Sequence, residues 1–141
     1  MGDDPIKEED SDTDEARAPK QDAFLQALLG IVESAPISFD LTLQVAGLLV
    51  SGRLVSTKDY FEAFGRSFSE ALPEELASTR QSFEEMFAKT GELPSRRDFI
   101  HLKDARVFHP GGKPIPGNRG VPWRGRTSKV DAFWLGTLQF S

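Results

Sequence analysis

Phe39-Asp40-Leu41-Thr42-Leu43-Gln44-Val45-Ala46-Gly47-Leu48-Leu49-Val50-Ser51-Gly52-Arg53-Leu54-Val55 is the stretch on which the fold turns. Phe39, Leu41, Leu43 and Val45 alternate with Asp40, Thr42, Gln44 and Ala46, the period of a half-buried strand. Ala46-Gly47 suits a tight turn, and Leu48 to Val55 reads as the return strand. Gly52 marks the place of a bulge. A β-hairpin is thus expected near the middle of the chain.

On its N-terminal side, Asp22–Ser34 reads as a helix. Asp22 is placed to cap it, and Phe24, Leu25, Leu28, Leu29 and Val32 follow at helical spacing. Ala35-Pro36 ends it, because the residue before proline is pushed out of the α region. On the C-terminal side, Ser56–Ala71 returns to helical period. Ser56 with Asp59 resembles a capping box, and Tyr60, Phe61, Phe64, Phe68 and Leu72 form one apolar face. Pro73-Glu74-Glu75-Leu76 opens a third helical stretch, with proline and acids where a first turn favours them. Phe83, Met86 and Phe87 continue its apolar face, and Gly91 followed by Pro94 stops it.

Asp98–Phe108 is a second β region. From Gly111 to Arg126 there is no periodicity, and the stretch reads as a long loop rich in glycine, proline and arginine. Thr127–Phe140 reads as a last strand interrupted at Gly136. Apolar residues on both of its parities predict a central or covered strand. The fold class is α+β: a small mixed domain over residues 22–141, with an antiparallel sheet of four to five strands packed against two or three helices. Eleven phenylalanines, against one tyrosine and two tryptophans, predict a Phe-rich core.

Residues 1–21 contain no aromatic residue and no leucine, so they read as a disordered acidic tail. The charge is strongly polarised along the chain. Residues 1–20 hold eight acids and three bases, 21–93 eleven acids and five bases, and 94–141 three acids and nine bases. The absence of cysteine excludes disulfides, thiolate metal sites and thiol nucleophiles. No run approaches the ~18–20 apolar residues of a membrane span. The N-terminal residues lack a signal-peptide pattern, and a cytoplasmic protein is expected.

Nothing in the sequence assembles a catalytic site. His101 lies mid-strand, where a lone histidine is usually structural, and His109 precedes Pro110 at a turn. Their spacing matches no metal motif. The pairs Glu74/Glu75 and Glu84/Glu85 fall on polar helix faces. Gly111-Gly112-Lys113 is followed by Pro114, so the strand–loop–helix context of a phosphate loop is missing. No catalytic residue, metal ligand or cofactor is expected.

The sharpest feature is Trp123-Arg124-Gly125-Arg126, joined by Lys113, Arg119 and Lys129 into a basic stretch. Arginine forks pair with carboxylates and phosphates, and Trp and Arg dominate binding hot spots. These six residues are the candidate partner-binding set, although Trp123 is equally expected to be buried against the domain. An acidic protein surface is the expected partner. The acidic tail of another copy is one such surface, which predicts weak, salt-sensitive self-association.

Several of these segments together resemble gas vesicle accessory proteins of the GvpU type. They are Phe39 to Gly52, Lys58-Asp59-Tyr60-Phe61, Phe99-Ile100-His101-Leu102-Lys103-Asp104-Ala105, Trp123-Arg124-Gly125-Arg126, Val130-Asp131-Ala132-Phe133 and Leu135-Gly136. The match runs over roughly residues 22–139. The resemblance implies a non-catalytic role in the assembly or clustering of gas vesicles, which are hollow protein shells. The implied partners are the shell or other gas vesicle proteins. A competing expectation is a small, strongly bent barrel similar to Sm-like RNA-binding domains, with the basic stretch on phosphates. The acidic net charge and the lack of interleaved stacking aromatics disfavour nucleic acid.

Overall fold

The alternating residues at 39–55 form the hairpin they predict. β1 (Phe39–Val45) and β2 (Leu48–Leu54) pair antiparallel, from Phe39 opposite Leu54 to Val45 opposite Leu48. The two linking residues, Ala46 at φ +51° and Gly47 at φ +79°, both take left-handed backbone, as a two-residue type I′ turn requires. The structure is a computed structural model and describes residues 22–94, 97–117 and 119–138. The acidic tail expected over residues 1–21 lies outside the described residues.

β3 (Phe99–Phe108), β4 (Val121–Arg126) and β5 (Val130–Leu135) complete one five-stranded antiparallel sheet in the order β4-β3-β2-β1-β5. Two expectations change here. The stretch 121–126 is a strand rather than loop, paired residue by residue with Phe99 to Ala105. Its proline, glycine and arginines hide the strand pattern, and such residues are at home on a sheet edge. β5, expected to be central or covered, is the other edge, and its Trp134 and Leu135 remain 41% and 68% exposed.

The two edges are joined by only a 3-10 turn, Thr127–Lys129. Arg126 and Val130 are four residues apart, a reach of at most roughly 14 Å. Four flat strand spacings would separate the edges by about 19 Å. The sheet must therefore curl toward a partial barrel. Bulges supply the bend. One lies between β1 and β5, where the register shifts at Gln44/Val45 and Asp131 of β5 is the extra residue. The other is in β3, where Asp104 at φ +54° is the extra residue and the register slips against both neighbours. Gly52 faces that bulge: a Cβ there would lie 3.0 Å from both the Ala105 Cα and the Lys103 carbonyl oxygen.

The inner face holds the core. Leu41, Leu43, Val50, Leu54, Ile100, Leu102 and Ala105 pack with Leu25, Leu29 and Val32 of α1 (Ala23–Ser34). Asp22 caps α1 as expected, its Oδ1 accepting the Phe24 N–H at 3.1 Å. A buried leucine here contributes about 1.5–3 kcal/mol. The core is aliphatic, and among the described residues no phenylalanine is one of its buried members. The Phe-rich stripe lies elsewhere, on α2 (Thr57–Glu70) and α3 (Arg80–Gly91).

These two helices form a hairpin on the outer face of the sheet. Their seam is aromatic: Phe68 meets Phe83 at 5.3 Å and Phe87 at 5.2 Å, and Phe64 meets Phe87 at 5.1 Å. Only the start of α2 reaches the sheet, so Phe64 and Phe68 stay 36% exposed. Ser56 caps α2, accepting the Asp59 N–H at 3.1 Å. Glu33 of α1 adds a second cap, accepting both the backbone N–H (2.7 Å) and the hydroxyl (2.6 Å) of Thr57. Pro73 opens a 3-10 turn, Glu74–Thr79, rather than an α-helix. Gly91 is the last helical residue, where a Cβ would lie 3.0 Å from the Lys58 Cα. It permits close packing of the two helices.

Residues 136–138 lie over part of the remaining outer face. Thr42 Oγ1 donates to the Gly136 carbonyl at 2.7 Å and lies 3.1 Å from Ser51 Oγ, which accepts the Leu138 N–H at 2.7 Å. These contacts satisfy two buried hydroxyls that an apolar contact would leave unpaired.

Candidate docking site

Antiparallel register builds the site. Phe99 and His101 alternate with the core residues Ile100 and Leu102 on β3, so they occupy its outer face. Arg126 is directly opposite Phe99, and Arg124 directly opposite His101. Both arginines therefore stand on the same outer face, and both address the Phe99 ring. The Arg124 guanidinium carbon lies 3.6 Å from the ring centroid and that of Arg126 5.3 Å. These are cation–π distances.

α2 closes the site from above. Tyr60 packs on His101 with ring centroids 4.7 Å apart, and Phe61 lies at 6.0 Å. Arg124 Nε donates to His101 Nε2 at 3.1 Å. Arginine is always protonated, so His101 is the acceptor at Nε2 and its proton sits on Nδ1. His101 is only 3% exposed. Burial, and secondarily the charge of Arg124, push it from its ordinary 6.5 down to about 4. Burial also raises the Tyr60 hydroxyl above its usual 10, with Arg124 acting in the opposite direction.

The six sequence-predicted residues do not form one surface. Arg124 and Arg126 come together around Phe99. Trp123 points the other way, half-buried against the inner core with its ring folded over Gly125. Lys113 and Arg119 are exposed in the 109–120 connection, which touches the sheet by a mutual pair of 2.8 Å backbone hydrogen bonds between Val107 and Ile115. Lys129 is exposed in the turn after β4. The partners sequence reasoning missed are Phe61, Phe99 and His101. Their parity on β3, read against an arginine-bearing β4, was the available signal, and it needed β4 to be recognised as a strand.

His109 is exposed, as are both glutamate pairs and Lys113. Among the described residues no three His, Asp or Glu side chains cluster to hold a metal. No described helix is long and apolar enough to cross a membrane.

Fold and site define a small α+β protein whose curled sheet presents two arginines and an aromatic ring beside a helical hairpin. A family model described as gas vesicle protein GvpU-like matches residues 22–138, and the chain belongs to that family. GvpU-like gas vesicle proteins are not a known enzyme family. No curated protein and no solved structure matches the chain.

Proposed function

We propose that the protein acts non-catalytically in the assembly or clustering of gas vesicles in the cytoplasm, by docking acidic surfaces of the shell or of other gas vesicle proteins. The observation that carries this reading is the Arg124–Phe99–Arg126 face on a chain of the GvpU-like family. Arg124 keeps its terminal N–H groups, and Arg126 its whole fork, without hydrogen-bond partners among the described residues. Arginines stacked on an aromatic ring are partly ordered before binding, which lowers the entropic cost of pairing with a carboxylate. The eight acids of residues 1–20 offer a similar partner on a second copy, so weak self-association belongs to the same reading.

Flotation of purified gas vesicles with the protein tests it. Wild type should co-float, and Arg126→Glu with Lys129→Glu should reduce co-flotation, as should added salt. Light scattering over a salt series, with and without residues 1–20, tests the self-association. One observation favours a second reading. The curled sheet is the bent-barrel shape expected of a nucleic-acid module. Salt-steep binding to fluorescent single-stranded RNA, with none to vesicles, would overturn the first reading in favour of it.

A further inference from the structure

The foot of the helical hairpin does not seal against the sheet. Between the start of α2, the end of α3 and strands β3 and β4 lies an open cavity of about 380 Å³. That volume falls within the range of small-ligand sites, roughly 300–1,000 Å³. Phe61, Leu93, Pro94 and Phe99 give it apolar walls, while His101 and Arg124 also line it.

Two polar groups there are unused. His101 Nδ1–H has no hydrogen-bond partner among the described residues, although the residue is only 3% exposed. His101 lines the cavity, so an acceptor bound there is within reach of this unpaired donor. Arg124 spends its Nε on His101, and its terminal N–H groups have no hydrogen-bond partner among the described residues. Both unpaired groups are donors only, so an acceptor fits them.

We propose that this cavity is a binding site for a carboxylate carried on an apolar or aromatic group. The carboxylate sits on the Arg124 fork and the His101 Nδ1–H, and the apolar body packs against Phe61, Phe99, Leu93 and Pro94. A guanidinium pairs with a planar carboxylate through parallel hydrogen bonds. The apolar walls disfavour a small, fully hydrated anion such as chloride or phosphate. Asp98 also lines the cavity. It is exposed to water and has an interaction of its own within the fold, so solvent screens its repulsion. His101 acts here as a positioning residue for Arg124 as well as a donor. This inference deepens the docking reading by naming the chemistry of what is docked.

The test follows the His101 ring resonances of the full chain by NMR during titration with three probes. These are phenylacetate, its uncharged amide, and the peptide acetyl-Ala-Phe-Asp-Ala-amide. Phenylacetate should shift the His101 signals saturably and raise the pH at which they titrate, and phenylacetamide should not. A matching response to the peptide assigns the carboxylate to a protein side chain. A response to phenylacetate alone assigns it to a free small acid. Arg124→Lys should weaken phenylacetate by roughly tenfold or more, because a point charge replaces the fork. Leu93→Glu, at an exposed position, should abolish the shift without disturbing the fold, and it serves if Arg124→Lys does not fold. No response to either carboxylate up to about 10 mM, or an equal response to the amide, overturns the proposal. No vesicle enters the assay, so its failure is distinct from failure of vesicle docking.

Discussion

Arg124 and His101, 23 residues apart in the chain, are directly opposite each other across β3 and β4 and joined side chain to side chain at 3.1 Å. A permanent cation thus donates to an imidazole that burial keeps neutral. The pair holds the outer face of the sheet against the first turns of α2, because Tyr60 and Phe61 pack on the same ring.

The pH dependence of stability follows from that burial. His101 titrates near 4 when folded and near 6.5 when unfolded. Between those values the unfolded state binds the extra proton, so stability is full above about pH 7 and is lost as pH falls from 6.5 toward 4. The loss is on the order of 3 kcal/mol. Urea unfolding over this range should show it in wild type, and His101→Gln should flatten the profile. An equally steep profile in the variant would assign the effect to other groups.

Removing Arg124 should act on both sides of the pair. Arg124→Ala leaves His101 Nε2 without its donor and removes the cation from the Phe99 ring, a loss of about 1–2 kcal/mol. It should also raise the pH at which His101 titrates, since Arg124 is one of the two causes that lower it. A combined thermal melt and NMR titration reads both. An unchanged His101 titration would show that the charge of Arg124 is not felt there.

At the hairpin turn, Ala46 holds φ +51°, where a side chain with a Cβ is disfavoured. Asparagine tolerates that region and is the preferred residue before glycine in a type I′ turn. Ala46→Asn should raise stability by about 0.5–1 kcal/mol in denaturant unfolding. A loss would show that the turn is not type I′ in solution.

Gly52→Ala should do the reverse. Its Cβ would press on backbone atoms of Lys103 and Ala105 at 3.0 Å, beside one of the two bulges that bend the sheet. Destabilisation should exceed about 2 kcal/mol, because backbone on both sides must move. A change within about 0.5 kcal/mol would show that the bulge yields easily.

Glu33 carries a cap for a helix that does not contain it. Glu33→Ala removes both hydrogen bonds to Thr57 and should cost about 1–2 kcal/mol, typical of a lost helix cap. Equilibrium unfolding measures it, and Glu33→Gln should recover part, since an amide oxygen still accepts.

What the sequence made legible was local. The hairpin was readable because period two and the Ala46-Gly47 pair agree, and α1 and α2 because Asp22 and Ser56 cap apolar stripes. β4 was not. An edge strand with Pro122, Gly125 and two arginines has no apolar period, and only pairing with β3 reveals it. The candidate site was not legible for the same reason: Arg124 was visible as a cation, but the residues it meets come from β3 and α2. Trp123 was grouped with its neighbours by adjacency, whereas a strand sends adjacent side chains to opposite faces. The phenylalanines were counted toward the core because composition does not say which element buries them.

The three-residue link from β4 to β5 has a consequence for the order in which the protein is made. β5 pairs with β1, so the second strand neighbour of residues 41–45 is synthesised only after β2, β3 and β4. Until residues 130–135 leave the ribosome, β1 carries an open edge of unpaired backbone groups, though its hairpin partner is already in place. During that interval the nascent chain is most open to pairing with a neighbour. Arrival of Thr127–Lys129 and β5 closes the interval.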